Sequence, residues 1–247
     1  TGRYSLRTGV TDTYNGGAIM SSSEITLAEI FAEKNYKTGI FGKWHLGDNY
    51  PSRPSDQGFQ ESLIHLAGGI GQVGDFTNYY AGNQSYFDPA LWHNNEIKKY
   101  EGYCSDIFTD EALKFIEQNK SNQFFCYLSF NAPHTPLQVP EKYYDLYKDI
   151  DPSNFYEEVT SEMTERDVND AKKIYGMVTN IDENFGKLLY KLEELDIKEN
   201  TIVIFLTDNG PQQTRYVSNL RGLKSEVYNG GIKVPFYFRY PKLYKKA

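Results

Sequence analysis

Four short segments of this sequence hold residue types that bind oxyanions, move protons or ligate hard cations. Thr207-Asp208-Asn209-Gly210 follows an apolar run. Its adjacent carboxylate and carboxamide offer oxygen donors of the kind Ca²⁺ or Mg²⁺ takes, and Gly210 allows a sharp turn behind them. Asn131-Ala132-Pro133-His134-Thr135-Pro136 places His134 on a proline-stiffened loop after a second apolar run, where an imidazole can exchange a proton near neutral pH. Gly42-Lys43-Trp44-His45-Leu46-Gly47 carries Lys43 and His45 two residues apart. An extended backbone would point both the same way, as an anion-binding and proton-moving pair. Leu220-Arg221-Gly222-Leu223-Lys224, followed by Tyr228-Asn229-Gly230-Gly231, puts Arg221 and Lys224 on a glycine-rich loop. Taken singly, each segment has an ordinary structural explanation: an Asx turn, a capping histidine, a snorkelling lysine, a solvated loop.

The elements that must position these residues show in the hydrophobic pattern. Residues 24–35 carry a helical stripe, with Ser23 as a candidate N-cap. Tyr36 to Phe41 reads as a short strand ending at Gly42, and residues 106–119 and 165–195 as helices. The runs 124–130 and 201–207 read as strands buried on both faces, with a third strand at 234–238. Residues 47–99, rich in Gly, Asn, Asp and Pro, read as long shaped loops. Strands alternating with helices predict an α/β three-layer sandwich with a central, mainly parallel sheet. In such sheets sites lie just past the carboxyl ends of strands, which is where the Asp208 and His134 segments fall.

Composition limits the classes of function. The 247 residues carry 26 Lys+Arg against 33 Asp+Glu, a net charge of -7, which argues against a general nucleic-acid binder. No apolar run reaches the length of a membrane span. Cys104 and Cys126 are the only cysteines, so there is no disulfide framework and no CxxC clip, and two buried free thiols are expected. The 21 Tyr and 15 Phe serve mainly the core. Tyr79, Tyr80, Tyr86, Phe87 and Trp92 could also form a sugar-binding rim. His65 and His93 lie in the irregular segment, and no motif gives them a role.

The joint order of the motifs is more specific than any one of them. GKWHLG, then the Gly58-Phe59 pair, then APHTPLQVP, then TDNG, then LRGLK with a following Gly-Gly resembles the type I sulfatases of the alkaline phosphatase superfamily. HTPLQVPEKY and NLRGLKSEVYNGG resemble its arylsulfatase B-like, carbohydrate-acting members. The resemblance covers nearly the whole chain, expected to be one catalytic-domain fragment, 1–247, of an alkaline phosphatase-like fold. It implies a sulfuric ester hydrolase that uses a formylglycine nucleophile and Ca²⁺, with Mg²⁺ as the other candidate. Asp208 and Asn209 would then be metal ligands. Lys43 and His45 would serve the nucleophile, and His134 and Lys224 would bind the sulfate, His134 protonating the leaving oxygen. Arg221 would touch substrate or brace its loop.

Thr1-Gly2-Arg3 resembles the tail of the family's nucleophile signature. The nucleophile, the paired acidic metal ligands and the smaller C-terminal subdomain are therefore expected outside the chain, which by itself is expected to be inactive and to expose unpaired sheet edges, with a homo-oligomer as one way to cover them. A sulfated glycan is the expected substrate, with a small aryl sulfate as fallback, in a periplasmic, secreted or lysosomal setting. Two other readings stand beside this one. A phosphatase or phosphonate monoester hydrolase on the same scaffold would differ at the nucleophile. A non-catalytic carbohydrate-binding relative has to explain why Lys43, His45, His134, Asp208, Asn209 and Lys224 occur together.

Overall fold

The computed structural model describes residues 1–13, 17–79, 85–155 and 162–243. Backbone contacts divide the chain into two units. The first comprises Thr1–Gln138 and Asn180–Leu188, the second Val139–Thr179 and Leu189–Ala247.

The first unit is built on a five-stranded sheet. Its strands are β1 (Lys37–Lys43), β2 (Glu61–His65), β3 (Ala90–His93), β4 (Glu96–Lys99) and β5 (Phe124–Ser129), in the order β4-β3-β2-β1-β5. β2, β1 and β5 run parallel; β3 and β4 form an antiparallel hairpin on one side. Neighbouring residues of a strand face opposite sides. Ile40 and Ile64 therefore join Ala28 of helix α1 (Leu27–Glu33), Trp44 and Phe59 in one cluster. Phe41 turns the other way onto Phe115 of helix α2 (Cys104–Gln118), ring centroids 5.6 Å apart. Helix, sheet, helix is the three-layer arrangement expected, around a central sheet that is mostly parallel. Residues 180–188 of helix α4 (Glu165–Glu194) attach to α2, where Asn180 and Asn184 both donate to Asp106 Oδ1 at 2.8 and 2.7 Å.

The second unit contains the short helix α3 (Glu141–Tyr144), most of α4, strands β6 (Val203–Leu206) and β7 (Phe236–Arg239), and the short helix α5 (Asn229–Ile232). β6 and β7 pair antiparallel, Val203 opposite Arg239. Thr164 and Asp167 cap α4 reciprocally, which satisfies two otherwise orphaned backbone donors.

Several local expectations are corrected. Thr26, not Ser23, caps α1, in a capping box with Glu29. Only Ala28 of that helix is buried, because one side of so short a helix meets the sheet. β1 runs on to Lys43. The segment 47–99 contains β2, β3 and β4 as well as loops. Glycines and asparagines hid these strands by sitting in the turns between them, as Asn94 and Asn95 do at φ 49° and 68° in the β3–β4 hairpin. β5 and β6 are not buried on both faces. Among the described residues β5 pairs only with β1 and β6 only with β7, so Tyr127, Ile204 and Leu206 are about half exposed. Both cysteines are free, Cys104 buried and Cys126 partly so.

Gly42 has a particular role at the end of β1. Its φ is 129°, and a Cβ there would lie 1.9 Å from the Ser129 carbonyl oxygen. Ser129 Oγ donates to the Lys43 carbonyl at 2.8 Å. The glycine therefore lets β1 and β5 close tightly one residue before Lys43. We expect Gly42→Ala to lower unfolding free energy by about 3 kcal/mol, measured by urea denaturation. A loss under about 0.5 kcal/mol would show that the contact is not a constraint.

Candidate active site

Three parallel strands deliver their carboxyl ends to one rim of the first unit. Lys43 ends β1 opposite His65, which ends β2. β5 ends at Ser129, one residue beyond which the loop with Asn131 and His134 begins. Paired residues of parallel strands share a face, so Lys43 and His65 project to the same side of the sheet. His45 does not follow by strand alternation. Its φ is +55°, so the chain has left the extended conformation, and the expectation that Lys43 and His45 point the same way through strand geometry is corrected. His45 is placed instead by a hydrogen bond from its backbone N–H to the Leu66 carbonyl at 3.0 Å. Its ring packs on Gly68, where a Cβ would lie 2.6 Å from Cε1.

His134 is held from several sides. Its N–H donates to the Asn131 carbonyl at 3.0 Å, and its Nδ1 lies 2.8 Å from the Thr135 carbonyl. A ring nitrogen facing a carbonyl carries the hydrogen, which leaves Nε2 as the lone-pair atom of the neutral form. Gln72 Nε2 donates to Thr135 Oγ1 at 2.8 Å. The His134 carbonyl accepts from the Tyr86 hydroxyl at 2.8 Å, and Tyr86 in turn accepts from Asn131 Nδ2. A buried polar network thus fixes the loop that carries His134.

His65 lies beneath this group and is fully buried. Burial first, then the charges of Lys43, His45 and His134, press its pKa down to about 3. The imidazole is therefore neutral at any physiological pH. Asn131 lies near enough to favour the charged ring slightly, but the alignment falls short of a hydrogen bond, and both ring nitrogens lack a partner among the described residues.

In the second unit three loops lock together. Gly210 N–H donates to the Gly231 carbonyl at 2.9 Å, Gly230 N–H to the Arg221 carbonyl at 2.7 Å, and Lys224 N–H to the Pro211 carbonyl at 2.7 Å. A Cβ on Gly210 would lie 1.8 Å from the Gly230 carbonyl oxygen, so this glycine is required by close approach. The segment with Asp208 and Asn209 is thereby tied to the segment with Lys224. Asp208 Oδ1 accepts from the Asn209 N–H at 2.9 Å. Arg221 stacks over the Tyr228 ring, 3.9 Å from its centroid, and so braces the loop.

Sequence reasoning missed His65, Asn131 and Tyr86 as parts of the arrangement. β2 is only five residues long, too short for its period to mark His65; nothing short of the fold shows that Tyr86 reaches the His134 loop. Tyr86 is also a correction to the suggested aromatic rim, since it is fully buried. Trp92 packs against the α1-side core. Tyr79 is exposed, and Tyr80 lies outside the described residues.

Asp208 and Asn209 supply hard oxygens, which suits Ca²⁺ or Mg²⁺ in kind but not in number, since Ca²⁺ takes six to eight ligands. Among the described residues no group of three or more His, Cys, Asp or Glu converges on one point. These two residues fit as part of a metal shell only.

The model of the family described as Sulfatase matches residues 1–247. The chain belongs to the sulfatase family. Among its relatives, the ulvan-active sulfatase of Formosa agariphila is 27% identical over 260 residues, covering 100% of this chain and 46% of that protein. An arylsulfatase of Hemicentrotus pulcherrimus is 30% identical, over 90% of this chain and 39% of its own. The crystal structure of Ps i-CgsB in complex with k-i-k-neocarrahexaose superposes with a TM-score of 0.76 at 29% identity, over 95% of this chain and 51% of that one. This sulfatase chain therefore spans about half the length, or less, of these relatives. A phosphonate monoester hydrolase of Agrobacterium radiobacter shares the fold at 15% identity and a TM-score of 0.57.

The depressed His65 pKa has a consequence for stability. In the unfolded chain His65 takes up a proton as pH falls below its ordinary value of 6.5; in the folded protein it refuses one until about pH 3. Its contribution is therefore complete above pH 6.5 and declines as pH falls toward 3, by up to about 1.4 kcal/mol per pH unit. Urea denaturation of the wild type and His65→Gln between pH 7 and 4 is expected to show a steeper acid loss in the wild type. Parallel curves would overturn this.

Proposed function

We propose that the protein hydrolyses sulfate esters, with Lys43, His45, His134 and Lys224 acting on the sulfate and the nucleophile, and Asp208 and Asn209 holding part of a Ca²⁺ site. The observation that carries this reading is the rim of the first unit, where parallel strands bring Lys43, His45 and His134 together in a chain of the sulfatase family. Sulfate transfer builds negative charge on the transferred group and on the leaving oxygen. Fixed cations lower that barrier more than mobile ones, because they need not reorganise as the charge develops.

The roles are those that the sulfatase family implies for these residues. Lys43 holds the hydroxyl of the nucleophile. His45 takes its proton; Nε2 lies 3.3 Å from the Thr13 carbonyl, so in the neutral ring Nδ1 is the base. His134 and Lys224 bind sulfate oxygens. In its imidazolium form His134 keeps Nδ1–H on the Thr135 carbonyl and gives the Nε2 proton to the leaving oxygen, returning to the neutral ring. When bound, the metal would neutralise sulfate charge, and a formylglycine, implied by the family, would supply the attacking oxygen.

On this reading the substrate is a sulfated glycan. The relatives named for ulvan and solved with a neocarrahexaose support the class. A substrate of that size is met outside the cytoplasm, which supports a secreted or periplasmic protein. No described helix is long and apolar enough to cross a membrane.

Assay of the full-length protein tests the proposal. Lys43→Ala and His134→Ala are expected to lower kcat/KM for an aryl sulfate by about 10²- to 10³-fold, with the thermal midpoint little changed. Chelation should abolish turnover, and Ca²⁺ should restore it better than Mg²⁺. Cleavage of phosphonate or phosphate esters in preference to sulfate esters, or undiminished turnover in both variants, would overturn it.

A further inference from the structure

Three polar atoms are orphaned at one place. Both ring nitrogens of His65 and Oδ1 of Asn131 are buried without a hydrogen-bond partner among the described residues. A buried polar atom left unpaired costs on the order of 1–3 kcal/mol, and such costs concentrate where a site needs the group. The position is specific. His65 is the register partner of Lys43 across β1 and β2. On its other side Asn131 leads through the Tyr86 hydroxyl to the His134 carbonyl. One uncharged imidazole therefore stands between the strand that carries Lys43 and the network that carries His134.

The residue type suits that place. A carboxylate beside Lys43, His45 and His134 would cancel the charge that attracts an oxyanion. A lysine or arginine would add a further positive charge beside Lys43. An apolar residue would leave the Asn131 oxygen with nothing to bond. A neutral imidazole offers one donor and one acceptor without altering the net charge, as a carboxamide also would.

We propose that His65 is a positioning residue of the oxyanion site. When the anion is bound, one ring nitrogen donates to Asn131 Oδ1 and the other accepts from the Lys43 ammonium. Lys43 is thereby aimed at the ligand, and His134 is steadied through Asn131 and Tyr86. This rests on the sulfatase reading for the identity of the ligand, but not for the contact itself.

The test compares wild type, His65→Phe and His65→Gln. Phenylalanine keeps a ring and removes the two orphaned ring nitrogens; glutamine keeps a donor and an acceptor. Inorganic sulfate is titrated into each chain labelled with ¹⁵N-histidine. Binding is read from the His45 and His134 ring signals, with His93, bonded to Tyr100 at 2.6 Å, as internal reference. His65→Phe is expected to be at least as stable as wild type, yet to bind sulfate tenfold or more weakly and to shift the His134 signals. His65→Gln is expected to recover affinity to within about threefold. Should His65→Phe not fold, His65→Met, unbranched and apolar, carries the same comparison. Equal sulfate affinity in wild type and the apolar variant, or no rescue by glutamine, would overturn the proposal. Turnover of an aryl sulfate by the full-length protein separates the two readings. Sulfate binding that depends on His65 without any turnover would sink the enzymatic reading and leave the role of His65 standing. Turnover indifferent to His65→Phe would sink the latter alone.

Discussion

The parallel pairing of β2, β1 and β5 is the constraint on which the rest of the first unit depends. Parallel register puts three carboxyl ends at one rim, and a residue at each end is thereby brought within reach of the others across long sequence separations. Lys43, His65 and the Asn131–His134 loop are neighbours for that reason and no other. A slip of one residue in β1 would turn Lys43 to the opposite face of the sheet. The tight approach of Gly42 to Ser129 and the bond from Ser129 Oγ to the Lys43 carbonyl fix that register next to the lysine itself.

Much of this was legible in the residues. The helical periods of α2 and α4 were clear because each presents a long apolar face. The motif order of GKWHLG, APHTP, TDNG and LRGLK gave the family before any coordinates. What escaped was non-local. β2 is only five residues long and sits among turn-forming residues, so its period of two had no room to show. His65 looked like a histidine in a loop, although it ends a buried strand. Tyr86 looked like a surface aromatic, although its hydroxyl joins two loop elements that lie 45 and 48 residues further along the chain. His45 was read from strand alternation, which stops at Lys43. Such facts depend on which segments meet, and a one-dimensional pattern does not encode that.

β5 and β6 show a related tension between composition and position. Phe124-Phe125-Cys126-Tyr127-Leu128-Ser129 and Val203-Ile204-Phe205-Leu206 have no charge and no proline, and edge strands usually carry one or the other to discourage further pairing. Their composition is that of interior strands, yet each pairs on one side only among the described residues. The half-exposed Tyr127, Ile204 and Leu206 are the cost of that arrangement in apolar surface. The sequence expectation of burial was thus a correct reading of residue type, and the mismatch lies in the neighbours available to pair with.

Concentrating Lys43, His45 and His134 around one buried ring works against folding, since positive charge on any of them disfavours charge on the others. The depressed pKa of His65 reflects its burial first and these neighbouring charges second. Burial and the neighbouring charge keep His65 neutral, so it adds no charge to the group. The same positive field draws an oxyanion, and an anion that enters neutralises it. The repulsion within the cluster and its affinity for a sulfate group are then two expressions of a single electrostatic arrangement, so that mutations which relieve the first should weaken the second.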